Sequence, residues 1–267
     1  MRDSFDRPIR YMRISVTDRC NLRCAYCAPR GGLGSLREDE LLSLESIARI
    51  ARAGAALGIE KLRLTGGEPL VRGGIVGLAR ELALIPGVTS LGMTTNGTLL
   101  APLAADLKEA GLDSVNVSLD TLDPDRYKII TNGGSLADVL AGLDAALEAG
   151  LEVKLNIVVA EDDPDDGAEA AAVEAYARAR GASSQRIRRY DLARTKRSDP
   201  GFDRPPPCEL CDRIRLLADG RLMACLHSEV FVKVDLGNIE ESLLECVARK
   251  PPRGASCALL SVGQIGG

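Results

Sequence analysis

The sequence predicts an α/β protein, a partial (β/α)6 TIM-like barrel carrying a small C-terminal extension. Three observations predict it. Short apolar, β-branched runs alternate six times with helical patterns of about ten to fifteen residues, the cadence of a parallel sheet with right-handed crossovers. Glycine-rich or polar motifs follow directly on the first four runs, where parallel α/β folds gather their chemistry. A second cysteine-rich stretch lies beyond the sixth run, after a proline-rich segment.

The elements follow in order. After ten charged, irregular residues the first strand is expected at 11–17, and it leads into Cys20-Asn-Leu-Arg-Cys24-Ala-Tyr-Cys27. Residues 29–34 read as a turn-rich loop. A helix at 43–57 aligns Leu44, Ile47, Ile50 and Ala51 on one face, and Gly58 stands where it should stop. The strand at 61–65 runs into Gly66-Gly-Glu-Pro69. Helix 74–84 leads to a strand at 90–94 with Thr94-Thr-Asn-Gly97 at its end, and helix 102–110 to a strand at 114–119 with Ser118-Leu-Asp120. Helices at 136–149 and 166–180 precede strands at 152–159 and 185–190. The barrel thus takes residues 1–190, a linker 191–207, and the extension 208–267.

Composition bounds the function. Apolar content of 45% suits a globular core, while 3% aromatics and no Trp argue against binding single strands by stacking. A net charge of −4 argues against general affinity for nucleic acid or an anionic membrane. No apolar run approaches the roughly eighteen residues of a membrane span, and the N-terminus lacks an apolar signal core, so a cytoplasmic protein is expected. Eight cysteines in a reducing compartment point to metal ligation before disulfides.

Cys20, Cys24 and Cys27 have the spacing C-x3-C-x2-C. Three thiolates on an iron–sulfur cube leave one iron open to a small molecule. A structural zinc site would want a fourth ligand nearby, and the chain's one histidine, His227, is far away. Cys208, Cys211 and Cys225 form a second group, C-x2-C-x13-C, ending in a hairpin turned at Asp219-Gly220. Here a Cys3His zinc site stays open beside a cluster, since His227, Cys246 and Cys257 are all candidate fourth ligands. Arg213 and Arg215 alternate in an extended run and so share a face, where planar guanidiniums suit phosphate oxygens. Adjacent Gly66 and Gly67 permit close approach of backbone to a ligand, and Glu68 or nearby carbonyls can accept from an α-ammonium.

The first triad, with Tyr26 before its last cysteine, resembles the radical S-adenosylmethionine (SAM) enzymes. The words Arg13-Ile-Ser-Val-Thr-Asp-Arg-Cys-Asn-Leu-Arg-Cys24 resemble their MoaA-type GTP 3′,8-cyclase family of molybdenum cofactor biosynthesis. That resemblance implies a radical SAM partial barrel with a cluster-binding extension. It implies two [4Fe–4S] clusters, one on each triad, and a cofactor site of Tyr26, Gly66, Gly67, Glu68, Thr94, Asn96 and Ser118. Asp120 is a further neighbour of lower priority. Around the nucleotide it implies Arg13, Lys61, Thr65, Lys154, Arg188, Arg213 and Arg215, with the last two and a C-terminal Gly266–Gly267 tail serving catalysis. The implied enzyme is a lyase: the reduced first cluster cleaves SAM, the 5′-deoxyadenosyl radical takes the ribose C3′ hydrogen, and the carbon radical attacks C8 of guanine. The implied partners are GTP, a one-electron donor such as flavodoxin or ferredoxin, and a downstream pyranopterin-forming enzyme, with a homodimer left open.

The sequence also departs from the family. Residues 191–207, with basic Arg194, Lys196 and Arg197, replace a segment several dozen residues longer. Ala193 stands for a methionine near the cofactor, Asp191 for a glutamate, and Asp212 for the asparagine before Arg213. Two other readings therefore stay open. One is a radical SAM paralogue acting on a peptide or another nucleotide. The other is a non-catalytic metal-binding protein, which the intact triads and Gly66-Gly67 oppose.

Overall fold

The computed structural model describes residues 1–27, 36–159, 166–189 and 207–257. The expected loop at 29–34, linker residues Asp191, Ala193, Arg194, Lys196 and Arg197, and the Gly266–Gly267 tail lie outside the described residues. Strands β1 (Tyr11–Ser15), β2 (Lys61–Thr65), β3 (Ser90–Thr95), β4 (Ser114–Ser118), β5 (Glu152–Val159) and β6 (Ser183–Arg188) pair in parallel. Helices α1 (Leu44–Ala56), α2 (Ile75–Ala83), α3 (Ala104–Glu109), α4 (Pro124–Thr131), α5 (Leu136–Glu148) and α6 (Asp166–Ala179) form the crossovers. This is the partial barrel that the alternation predicts.

The extension does not form a separate layer. Its first strand, β7 (Arg213–Leu216), pairs in parallel with β1, and β8 (Arg221–Met223) and β9 (Phe231–Lys233) continue as antiparallel neighbours before α7 (Ile239–Ala248). The sheet order is β6-β5-β4-β3-β2-β1-β7-β8-β9. The hairpin expected at Asp219-Gly220 is present, with Gly220 at φ +82° and its N–H donating to Leu217 O.

Local chemistry sets the helix starts. Ser43, Asp123 and Ser135 each accept a backbone N–H of the first turn and cap α1, α4 and α5, and Pro124 occupies the first position of α4. Helix α4, absent from the sequence reading, has only Tyr127 and Thr131 buried, so its apolar periodicity is weak. Its function is positional. Carbonyls of Thr131 and Ile130 accept the N–H groups of Arg23 and Ala25 and so hold the first cysteine loop.

The core lies between the sheet's outer face and the helices. Met12, Ile14, Leu62, Leu64, Met93, Val115, Val117 and Leu155 meet Ile47, Leu78, Leu82, Leu107 and Leu143. The alternate residues of the same strands are polar and face inward, a pattern that a parallel sheet covered on both faces would not show.

The first ten residues strap the seam between β1 and the extension. Arg7 is buried against Asp3 at 2.6 Å and donates to the carbonyls of Cys208, Pro251 and Pro252. Breaking a buried ion pair from one side leaves an uncompensated charge. Arg7→Ala should therefore lower unfolding stability by about 3 kcal/mol, read as a fall in the urea midpoint. An unchanged midpoint would show that the strap carries no stability.

Candidate active site

The first triad lines a cavity of about 130 Å³ at the carboxyl ends of the central strands. Cys20, Cys24, Cys27 and Tyr26 share its wall with Gly66, Gly67, Thr94, Asn96 and Ser118, so nine of the expected cofactor and metal residues line it together. Asn96 Nδ2 reaches the Cys20 Sγ at 3.8 Å and Asn21 at 2.9 Å, which orients the loop. Tyr26 Oη donates to Asp120 at 2.7 Å, and the other oxygen of Asp120 accepts Val158 N–H. Burial, then Cys27, Asp120 and Cys20, push the Cys24 thiol up to about 12, and burial and Cys20 push Cys27 up to about 11. Thiols crowded in this way become thiolates when a metal supplies positive charge. Among the described residues no three His, Cys, Asp or Glu side chains converge on a single ion. Thiols spread around a cavity fit a multi-iron cluster, whose ligands each bind a different metal centre.

Three expected cofactor residues also hold the loops together, and of these only Glu68 lies away from the cavity. Gly66, at φ +153°, and Gly67 do permit a close approach, but to the cysteine loop as well as to the cavity. A Cβ on Gly67 would stand 2.2 Å from Arg19 O, and the N–H groups of Gly67 and Glu68 donate to Thr17 O and Arg19 O. Glu68 lines neither of the two cavities. Its side chain is fully buried and accepts from Leu70 N–H, Thr95 Oγ1 and Asn96 N–H at 3.0, 2.7 and 2.7 Å. With its oxygens taken up, it latches the loop after β2 to the loop after β3 instead of meeting an α-ammonium.

A second cavity, of about 500 Å³, adjoins the first, and Asn156 and Ile187 line both. Its wall carries Arg13, Lys61, Lys154, Arg213 and Arg215, five of the expected substrate residues. Strand register explains the convergence: Tyr11 stands opposite Lys61 and Arg213, and Arg13 opposite Arg63 and Arg215. Burial, with Arg215, Arg63 and Arg213 nearby, pushes Arg13 down to about 9, so it remains charged at neutral pH. Burial opposes ionisation of Tyr11, yet Arg13, Arg63 and Arg213 outweigh it and hold its phenol below the usual value.

Two expected substrate residues are not part of this wall. Thr65 lines the smaller, cysteine-bearing cavity and donates to Ile14 O. Arg188 lines neither cavity. It shares parity on β6 with Arg186, whose guanidinium meets Glu174 of α6 at 2.6 Å, while Gln185, Ile187 and Arg189 take the inward side. The sequence reading missed Tyr11, Arg63, Asn116, Asn156 and Gln185. Arg63 ties the wall together, donating to Tyr11 Oη, Met93 O and Asn116 Oδ1 at 2.9 Å and to Ser114 Oγ. Gly92 leaves room for it, since a Cβ there would stand 2.6 Å from the guanidinium.

The second triad lies where β7 and β8 meet the chain end. Cys211 N–H donates to Cys208 O, and Lys250 donates to the carbonyls of Arg213 and Ala224. Burial opposes the Cys211 thiolate, but Lys250 and Arg213 prevail and lower its thiol, whereas burial leaves Cys225 raised. Cys246 is buried on α7 among the main core, and Cys257 packs with Leu217 and Met223. Neither shares the half-exposed setting of the triad.

The Radical SAM superfamily profile matches residues 14–173. GTP 3′,8-cyclase of Moorella thermoacetica is 42% identical, covering 93% of this chain and 92% of its own. The enzyme of that name from Alkaliphilus metalliredigens is 40% identical, covering 97% and 91%. The chain belongs to the GTP 3′,8-cyclase family of the radical SAM superfamily. Streptococcus suis SuiB bound to S-adenosylmethionine is 14% identical with a TM-score of 0.69, covering 91% of this chain and 66% of its own, a likeness of fold alone. Family membership makes the chain a radical SAM enzyme that uses S-adenosylmethionine and an iron–sulfur cluster. No described helix is long and apolar enough to cross a membrane.

The Glu68 latch gives the fold a pH dependence. Burial raises its carboxyl from 4.5 to about 7 against the donors that favour the anion. The folded chain then holds a proton that the unfolded chain has released, so this group's stabilisation is full below about pH 4.5 and is lost as pH rises through about 7. Melting temperatures of the native chain should therefore fall between pH 5 and 8 more steeply than those of Glu68→Gln. Parallel curves would remove Glu68 as the source.

Proposed function

We infer that this chain is a GTP 3′,8-cyclase that converts GTP to (8S)-3′,8-cyclo-7,8-dihydroguanosine 5′-triphosphate in molybdenum cofactor biosynthesis. One observation carries the reading: a cavity walled by Arg13, Arg63, Arg213, Arg215, Lys61 and Lys154 opens directly beside the cysteine-lined cavity. Its charge suits a triphosphate, and its position beside the first cavity suits a nucleotide whose sugar meets the cofactor. Relatives of the same name cover more than nine-tenths of the chain.

The residue roles follow from their places. Cys20, Cys24 and Cys27 hold the first cluster, and Tyr26, Gly66, Gly67, Thr94, Asn96 and Ser118 line the S-adenosylmethionine site. When bound, the reduced cluster and S-adenosylmethionine supply one-electron hydrogen-abstraction chemistry. The chain's own residues bind and orient: the guanidiniums and lysines fix the phosphates, and Asn156 and Ile187 form the border across which sugar and cofactor meet. Cys208, Cys211 and Cys225 hold a second [4Fe–4S] cluster that orients the base. The Gly266–Gly267 tail, an electron donor of flavodoxin or ferredoxin type, a pyranopterin-forming enzyme downstream, a homodimer and a cytoplasmic location belong to the same proposal.

Anaerobic reconstitution with iron and sulfide, then reductant and S-adenosylmethionine, tests the whole. 5′-Deoxyadenosine should rise strongly with GTP, together with a new cyclised nucleotide in the mass spectrum. Cofactor cleavage indifferent to GTP would favour the paralogue reading. Arg213→Ala or Arg215→Ala should weaken GTP binding by about ten- to a hundredfold, the worth of one charged hydrogen bond at about 1.5–3 kcal/mol. Unchanged affinity would remove that residue from the phosphate site. Cys225→Ala should lower bound iron by about half while the first cluster persists; full iron content would sink the second cluster.

A further inference from the structure

Lys250 follows α7 and its side chain turns inward, with only 3% of the residue exposed. Its ammonium donates to Arg213 O at 2.8 Å and Ala224 O at 2.5 Å, and it reaches the Cys211 thiol. Arg213 lies two residues after Cys211, and Ala224 immediately precedes Cys225. A single buried cation thus ties together the strands that carry two ligands of the triad and one arginine of the basic cavity.

Burial of an ammonium costs several kcal/mol unless an opposite charge answers it. Among the described residues no carboxylate lies within ion-pair distance of Lys250. Two carbonyls satisfy its hydrogen bonds but carry only partial charge. The anionic groups within its reach are the thiolates that Cys211 and Cys225 become on binding metal. Charge and hydrogen bonds near cluster sulfurs are among the factors that set a cluster's reduction potential.

We propose that Lys250 is a positioning residue of the second triad, a built-in counter-charge that aligns Cys211, Arg213 and Cys225 and favours the more negative, reduced state of the cluster they hold. The proposal rests on reading this triad as a cluster site. It does not concern the first cluster.

The test uses a full chain in which Cys20, Cys24 and Cys27 are all replaced by Ala, so that only the second triad can bind a cluster. Iron per chain is measured after reconstitution, and the reduction potential by titration followed with electron paramagnetic resonance. Lys250→Met should retain iron but shift the reduction equilibrium at least tenfold toward the oxidised state, about 59 mV for one electron. Lys250→Arg, which keeps the charge, should stay near the parent. Lys250→Gln supplies the neutral comparison if the methionine variant does not fold, with thermal melts as the check. Iron lost from a folded neutral variant and kept by Lys250→Arg also supports the proposal. An unchanged potential in an iron-loaded neutral variant overturns it alone. A parent chain that binds no iron overturns the second-cluster reading and this proposal together.

Discussion

Parallel pairing of β7 with β1 is the constraint on which the rest of the site depends. It sets Arg213 beside Tyr11 and Arg215 beside Arg13, and so closes the basic wall with residues some two hundred positions apart in sequence. It also fixes where the second triad stands, because Cys208 and Cys211 lead into β7 and Cys225 follows β8. The extension is thereby an added part of the barrel sheet. Arg7 and Lys250 bind backbone carbonyls along this seam with buried cations, so both help to hold the second triad.

That arrangement concentrates like charge, which is unfavourable in the empty fold and useful with an anion present. Four guanidiniums face one another across β7, β1 and β2, and burial with mutual repulsion lowers Arg13. Arg63 is relieved in part by Tyr11, Asn116, Ser114 and the Met93 carbonyl. A wall of this kind favours a polyanionic ligand over a neutral peptide, since only the former returns the cost of holding the cations together. The first triad shows the complementary case, crowded thiols that await positive charge.

Much of this was legible in the sequence, and the residues show why. The triads are local spacings, and β2 and β5 fall where apolar alternation puts them, at Lys61–Thr65 and Glu152–Val159. The inward polar wall was legible too: alternation such as Tyr-Met-Arg-Ile-Ser in a parallel strand means one face meets a cavity, which would have flagged Tyr11, Arg63 and Asn116. Strand phase at β6 was not. Arg188 entered through the family resemblance, and only the folded β6 shows that Gln185 and Ile187 take the inward parity. Glu68 was beyond reach for a different reason, because the Thr95 hydroxyl and the Asn96 amide that claim its carboxylate lie twenty-seven and twenty-eight residues away. Helix α4 escaped because a helix that mainly supports a loop buries too little to leave a stripe.

The border between the two cavities sharpens the mechanistic argument. Asn156 of β5 and Ile187 of β6 line both, so a cofactor in one cavity and a nucleotide in the other would meet beside these two side chains. Asn156 accepts from Asn116 and Gln185, a chain of amides spanning β4, β5 and β6 at that border. Because these groups sit on paired strands, sheet geometry fixes the border that the two cavities share. Hydrogen transfer is steeply sensitive to misplacement, and a border built on strand register varies less than one built on loops alone.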